Sequence, residues 1–417
     1  MKYTQSTDNN SIAVIGGGAA GLMAAGTALL YGARVTVFDH SGRLGKKLAI
    51  TGKGRCNVTN RTNVNGILEN VTTNARFLYG ALNTFTPEDT ISFFEGLGVP
   101  LKTERGNRVF PESDKAIDIV NALKEYASAA DYSFSHVKKI KKTEDGRFSV
   151  SADKEYTFDR VILATGGKSY TRTGSDGSGY SLAIKLGHTV TELKPSLIPF
   201  ESDSKLCEQM QGLSLKNVSI KVVDENNKTL YTDFGEMMFT HFGLTGPIIL
   251  SASAHVKNRD SLGLTVLIDL KPALDEATLD KRLIEEFKAN SNKDFINVLS
   301  SLLPSKMIRP FISTTGIDER KKANLITKDE RKNIIHCLKE MSISISGTRP
   351  IEEAIITSGG VSVKEIIPKT MESKIIPGIY FAGEMIDVDA YTGGFNLQIA
   401  FSTGYVAGLN AATEKKG

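Results

Sequence analysis

Residues 11–21 read Ser-Ile-Ala-Val-Ile-Gly-Gly-Gly-Ala-Ala-Gly, and no other stretch restricts the fold so tightly. Four apolar residues, Ile12 to Ile15, predict a short parallel strand covered on both faces. Gly16, Gly18 and Gly21 complete G-x-G-x-x-G, and an Ala- and Leu-rich run predicts a helix over 22–30. In such a unit the first glycine permits the tight turn. The second lets the backbone approach a pyrophosphate, and the third lets the helix lie close to the strand. The helix start adds unpaired N–H groups and a partial positive charge. A second strand at 34–38 ends on Asp39, an acid placed to accept hydrogen bonds from ribose hydroxyls and to repel a 2′-phosphate. Strand, turn, helix, strand and acid in that order imply a dinucleotide site rather than an ordinary glycine turn, without separating FAD from NAD.

A chain of 417 residues has room for two or three domains. Its 24% charged and 40% hydrophobic residues are those of a globular protein. A net charge of +4 does not mark a nucleic-acid binder, so DNA is not an expected partner. The three cysteines, Cys56, Cys207 and Cys337, lie far apart and form no C-x-x-C pair or zinc spacing. Reduced thiols and no metal are therefore expected. The first ten residues lack the apolar core of a signal peptide, and no apolar run is long enough to span a bilayer; a cytoplasmic location follows as the expectation. The oligomeric state stays open.

Residues 41–62 hold Arg43, Lys46, Lys47, Lys53, Arg55 and Arg61 and no acid. Within them Thr-Gly-Lys-Gly-Arg-Cys-Asn, residues 51–57, predicts a loop suited to phosphate or another anion. Cys56, set among these cations, is expected to favour its thiolate.

Further on, the pattern predicts helix over 77–98, with Thr86 as N-cap and Pro87 at the first helical position. A hairpin or loop is expected at 105–111 and an amphipathic helix at 113–123. Strands are expected at 134–137 and 148–150, a buried strand at 160–167 running into glycines, and a helix at 180–186. After Pro195 and Pro199 the α/β rhythm stops. Strands at 216–223, 228–234 and 262–270 and a helical stretch over 274–341 suggest an insertion at 196–344, β-rich in 196–270 and 341–344 and mainly helical in 271–340. Residues 1–195 and 345–417 then form one discontinuous cofactor domain. A strand at 378–384 leads to Asp387, Asp389 and Tyr391, then to a Gly393-Gly394 turn before a helix over 399–410. Such an ending suits FAD: an Asp can hold the ribityl or pyrophosphate region, and the helix start can face the flavin N1/C2=O edge.

The stretches GGGAAGLMAA, KLAITGKGRCNVTN, VFPESDKA, ILATGGKSYTRTGSDGSGY, GEMMFTHFGLTGP, TSGGVSVKEI and FAGEMIDVDAYTGGFNLQIAFSTG resemble the BaiN-like flavoprotein family, also labelled the aminoacetone oxidase family, over nearly the whole chain. The resemblance implies a glutathione-reductase-like Rossmann FAD domain with an inserted β-barrel and a helical subdomain. The candidate cofactor residues are Gly16, Gly18, Ala19, Ala20, Gly21, Asp39 and His40 in the first unit, and Arg43, Lys46, Lys47, Arg55, Cys56 and Asn57 in the basic stretch. Val137, Thr165, Gly166 and Gly167 join them in the middle of the chain. Gly383, Glu384, Asp387, Gly393, Gly394, Asn396, Leu397 and Gln398 complete the set. Cys56, His241 and Tyr391 are candidate proton donors beside the flavin, with NAD(P)H as a transient electron donor. Activities linked to the family leave three classes open: a reductase of an unsaturated small molecule, such as a steroid-like enone, or of uridine in ribosomal RNA; an oxidase of a small amine; and a non-catalytic flavin binder.

Overall fold

The computed structural model describes residues 10–256 and 263–413. They form two compact units. One combines the stretch up to Ser196 with that from Ile351; the other is Leu197–Pro350.

In the first unit, β1 (Ser11–Ile15) is buried along its whole length, as an apolar strand covered on both faces must be. It leads into α1 (Ala19–Leu30), which is buried from Ala20 to Ala28. Next come β2 (Arg34–Phe38), β3 (Asp131–Ser133) and β4 (Arg160–Leu163). Much later in the chain come β5 (Ile379–Phe381) and the long helix α2 (Phe395–Thr413). The five strands form one parallel sheet in the order β5-β4-β1-β2-β3. The strand expected at 134–137 is instead β3, and Phe134 is 56% exposed; parallel pairing of Thr36 with Asp131 sets the register where the apolar pattern does not. A three-stranded antiparallel meander, Lys139–Lys142, Phe148–Ser151 and Glu155–Phe158, intervenes before β4. At Pro87–Gly96 the expected cap is a full capping box: the Thr86 hydroxyl accepts the Asp89 N–H (3.1 Å), and the Asp89 carboxylate accepts the Thr86 N–H (2.8 Å).

The second unit holds a seven-segment antiparallel sheet. Its long strands are Ser214–Val223, Thr229–Thr240 and Thr265–Asp269; the expected start at Leu262 lies outside the described residues. The two ends of this sheet belong to one bent stretch. Met341–Ser344 pairs with Thr265–Asp269, and Gly347–Thr348 pairs with Phe200–Glu201. The sheet thereby closes into a barrel, which leaves no free edge. The helices Glu276–Ala289, Ser305–Thr315 and Lys328–Lys339 fall between its last two passes.

Candidate functional site

The site is built where β1 ends. Gly16 has φ +110°, and an added Cβ would overlap the Ala164 carbonyl, so only glycine makes this turn. At Gly21 a Cβ would overlap the Gly16 carbonyl oxygen, which is the close helix–strand approach the motif requires. Gly18 differs: no protein atom lies within 4 Å of where its Cβ would be, and it stands as the N-cap of α1 with no side chain capping the helix. The first turn of α1 carries no acid. Open space, uncapped N–H groups and a positive helix end fit a pyrophosphate.

Asp39 plays a different part from the one read in the sequence. Its Oδ2 accepts the Gly17 N–H (2.8 Å), and its Oδ1 accepts the Ser41 N–H (2.8 Å) and hydroxyl (2.5 Å). The carboxylate first ties the glycine loop to the end of β2; any ribose contact is additional. His40 lies next to it, 3.3 Å from Asp176 and edge-on to His136. Val137 is a core residue nearby in sequence to β3.

A second helix start completes the frame. The Ala20 backbone meets Gly404, and Ala24 meets Gly408, at positions where a Cβ would overlap their carbonyls. Both pairings advance by four residues, so α1 and α2 run parallel with their backbones in contact. From Ala20 back to Ala19 is one residue, but from Gly404 back to Phe395 is nine. At 1.5 Å per residue the α2 start projects about 12 Å beyond the α1 start. The turn before it uses Gly393 (φ +132°) and Gly394 (φ +96°), and a Cβ on Gly394 would overlap the Thr59 backbone. In the orientation its neighbours require, the Asn57 amide donates to the Val109 and Thr59 carbonyls and accepts the Gly394 N–H (3.0 Å). Asn60 donates to the Gly393 carbonyl (3.1 Å).

Two predicted cofactor side chains are spent inside the protein. Gln398 is fully buried: its oxygen accepts the Thr59 (2.6 Å) and Thr90 (2.8 Å) hydroxyls, and its nitrogen donates to the Phe85 carbonyl and Ser402. The Asn396 amide pairs with both backbone groups of Ala390 and with the Tyr391 carbonyl. Only their backbones remain for a ligand. Leu397 is half-buried against the core.

Lys47 and Glu384, far apart in sequence, form a half-buried ion pair at 2.7 Å. Lys47 also donates to the Ser169 hydroxyl (2.8 Å), and Glu384 accepts Ser169 Oγ (2.9 Å) and Thr357 N–H (2.8 Å). Gly167 is pressed against Thr357 and Glu384, and Gly166 against Ser175. Thr165 donates to the Met385 sulfur (3.4 Å). Gly383 accepts nothing larger, since a Cβ would stand 2.7 Å from that of Ala20. The Tyr180 phenol, buried near Glu384 and Asp387, has its pKa raised first by burial and then by those charges. Ser169 and Thr357 were not identified from sequence; their partners lie 215 and 27 residues away, and no local pattern announces them. Asp389, noted in the sequence beside Asp387, is fully buried with hydroxyls of Thr72 (2.8 Å), Ser196 (2.8 Å) and Ser358 (3.1 Å) on its carboxylate.

The basic stretch needs correction. Arg55 is not offered to an anion. Its guanidinium pairs with Glu104 (2.5 Å) and Asp114 (2.5 Å) and lies over the Phe110 ring at 4.2 Å. Those two hydrogen bonds raise its pKa further; the Arg55 bond lowers the pKa of Glu104, and that of Asp114 is lowered first by Lys102 and then by Arg55. Cys56 is fully buried at φ +60°, and burial pushes its thiol up to about 12, so the expected thiolate is wrong. Of the cations that would have stabilised it, Lys47 and Arg55 are paired with carboxylates. Arg43 is exposed and Lys46 half-buried beside the glycine loop, whose Gly17 carbonyl accepts the Gly45 N–H (2.8 Å). Tyr391 is half-buried on the turn leading to Gly393, its N–H bonded to the Asn70 carbonyl (2.9 Å). His241 belongs to the second unit, exposed in the two-residue turn between Thr229–Thr240 and Gly243–Thr245.

Residues 10–410 match the HI0933-like protein Rossmann domain family. This chain belongs to that family. It is 30% identical over 97% of its length, and 99% of the relative's, to a 3-dehydro-bile acid delta(4,6)-reductase of Clostridium scindens. It is 31% identical, over 96% and 98%, to a ribosomal RNA dihydrouridine synthase of Haemophilus influenzae. Among solved structures it resembles 3-ketosteroid-delta4-(5alpha)-dehydrogenase from Rhodococcus jostii, with TM-score 0.54 at 16% identity, covering 99% of this chain and 100% of that one. The family member is thus a flavin-dependent oxidoreductase with a Rossmann-type FAD-binding domain. Among the described residues no helix is long and apolar enough to cross a membrane.

Proposed function

We propose that this protein binds FAD along the line from Gly18 to Phe395 and reduces a carbon–carbon double bond conjugated to a carbonyl. The observation that carries the reading is the pair of parallel helix starts offset by about 12 Å along their axes, one uncapped beside open space at Gly18 and the other behind a left-handed Gly-Gly turn. A ribityl chain would run along that offset, with the pyrophosphate at the first start and the flavin ring toward the second. When bound, the flavin supplies a hydride donor at N5.

The chain supplies position and charge. The α1 start and Lys46 hold the pyrophosphate, and the Lys47–Glu384 pair fixes the strand end beneath it. The N–H groups at the α2 start would stabilise negative charge on the pyrimidine edge of a flavin bound there. Tyr391, on the same turn, would give a proton to the carbon next to the substrate carbonyl, the bound flavin being the group that would supply the hydride for the far carbon of the double bond. Solvent restores its proton, and NAD(P)H restores the two electrons. Cys56 stays a neutral thiol.

The names of the two relatives support this substrate class, since a 3-oxo steroid with Δ4 or Δ4,6 unsaturation and the uracil ring both present a double bond conjugated to a carbonyl. The test is anaerobic stopped-flow spectroscopy of the yellow, FAD-loaded protein. NADPH or NADH should bleach the flavin, and a 3-oxo-Δ4 steroid or uridine-bearing ribosomal RNA should restore its colour faster than air does. For the RNA substrate, dihydrouridine in ribosomal RNA should vanish on gene deletion and return with the gene. Bleaching by a small amine followed by fast reoxidation in air would replace this reading with an oxidase. Tyr391→Phe should keep flavin bleaching by NADPH and slow reoxidation by substrate about 100-fold or more.

A further inference from the structure

Among the described residues, five that are neither Gly, Asn nor Asp have left-handed backbones: Lys53, Cys56, Tyr170, Leu197 and Met371. Two of the five fall within four residues of one loop. Lys53 (φ +59°) sits between Gly52 (φ +57°) and Gly54 (φ +84°), which makes three consecutive left-handed residues. Such a conformation is unfavourable for any side chain with a Cβ and persists only where the surroundings impose it. The loop is closed by the Cys56 N–H donating to the Thr51 carbonyl (3.0 Å). It is tied through Asn57 to Gly394, at the start of α2.

The two cations of this loop have opposite fates. Arg55 is neutralised by Glu104 and Asp114. Lys53 is exposed, and among the described residues no carboxylate lies within ion-pair distance of it. A glycine would relieve the backbone at no steric cost, because the neighbouring positions show the turn is a glycine turn. The left-handed backbone of Lys53 is unfavourable, and its exposed ammonium stands ready for an anion on a loop tied to Gly394.

We propose that Lys53 is a specificity-determining residue that recognises a phosphate group on the molecule approaching the flavin. The proposal rests on the FAD site read above. Two sources carry that chemistry, the pyrophosphate of a nicotinamide dinucleotide and the phosphate of a nucleotide substrate, and a lysine reads either as a point charge.

The test uses the FAD-loaded enzyme, whose own pyrophosphate site is filled, with inorganic pyrophosphate as calorimetric probe at low ionic strength. Lys53→Gln removes the charge and keeps the strain; its pyrophosphate Kd should rise about fivefold at an unchanged Tm. Lys53→Arg should stay within twofold of the parent. Lys53→Gly should bind as poorly as Lys53→Gln yet melt about 1 °C higher, because the left-handed strain is gone. High salt should erase the differences. The source follows from a second arm. A rise in the NADPH concentration that half-saturates flavin bleaching assigns the phosphate to the reductant, and a rise confined to the KM for uridine-bearing RNA assigns it to the substrate. Equal Kd values for the parent and Lys53→Gln, or equal losses in Lys53→Arg and Lys53→Gln, overturn the proposal. Flavin that no nicotinamide reduces, beside a Lys53-dependent pyrophosphate Kd, overturns the reductase reading and leaves Lys53 standing.

Discussion

Gly18→Ala and Gly21→Ala make the same chemical change three residues apart, and the structure assigns them opposite consequences. At Gly21 the new Cβ would overlap the Gly16 carbonyl oxygen and stand 3.0 Å from its carbon, backbone atoms that cannot swing aside. Helix α1 must lift from β1, and it is already in backbone contact with α2. Overpacking of this kind costs about 3 kcal/mol. With an unfolding entropy of roughly 2 cal/mol/K per residue, a protein of this size loses about 1–2 °C of Tm per kcal/mol, so Gly21→Ala should melt roughly 3–6 °C lower, with or without cofactor. At Gly18 the Cβ enters empty space at φ −86°, a backbone open to alanine. Apart from a weaker N-cap worth about 1 kcal/mol or less, the apoprotein should be unaffected. FAD should bind at least tenfold more weakly, because the methyl stands where the pyrophosphate approaches. Gly18→Val should abolish binding. Scanning calorimetry of the apoprotein and fluorescence titration with FAD read the two effects separately. Wild-type FAD affinity in Gly18→Ala would refute the placement of the pyrophosphate, and a wild-type apoprotein Tm in Gly21→Ala would refute the close-packing argument.

Gln398→Leu should lower stability by about 2–5 kcal/mol, since the Thr59 and Thr90 hydroxyls and the Phe85 carbonyl lose a buried partner; below its melting range it should still bind FAD in full, and flavin loss at unchanged Tm would return Gln398 to the cofactor shell. Burial holds the pKa of His188 below its ordinary 6.5, so the unfolded chain takes up a proton that the folded one refuses. Its stabilisation is complete above pH 6.5 and declines as pH falls toward the folded value; urea midpoints should drop on acidification, and His188→Asn should flatten that slope. In the native protein none of the three cysteines should react with iodoacetamide at pH 8, because all are buried and Cys56 is held neutral; mass spectrometry showing fast labelling of Cys56 would overturn that account.

What the sequence revealed were local things. Gly16, Gly18 and Gly21 act within six residues, so their spacing carries the geometry they have. Thr86 and Pro87 likewise announce a helix that begins beside them. What it hid depends on distance along the chain. The acid-free run 41–62 suggests an anion site, yet Glu104 and Asp114 arrive from a later hairpin and cancel Arg55. Cys56 reads as activated among cations and is instead desolvated. Gln398 sits where cofactor contacts belong, but its amide satisfies the Thr59 and Thr90 hydroxyls and the Phe85 carbonyl brought in from elsewhere. The barrel was implied only by the family resemblance, since a bent pairing along 341–348 leaves no trace in alternation.

The division of the first unit across the chain has a consequence for biosynthesis. Strand β5 and helix α2 are made only after the whole of Leu197–Pro350. At about 5–20 residues per second, that stretch takes roughly 10–30 s to emerge. Throughout that interval β4 has an unpaired side and α1 lacks the helix that covers it. The barrel, by contrast, has its own ends joined by the Arg349 N–H donating to the Pro199 carbonyl (3.3 Å) and can close as soon as it leaves the ribosome. The part made first in this protein is therefore finished last, and the apolar face of α1 is the surface a chaperone has most reason to guard.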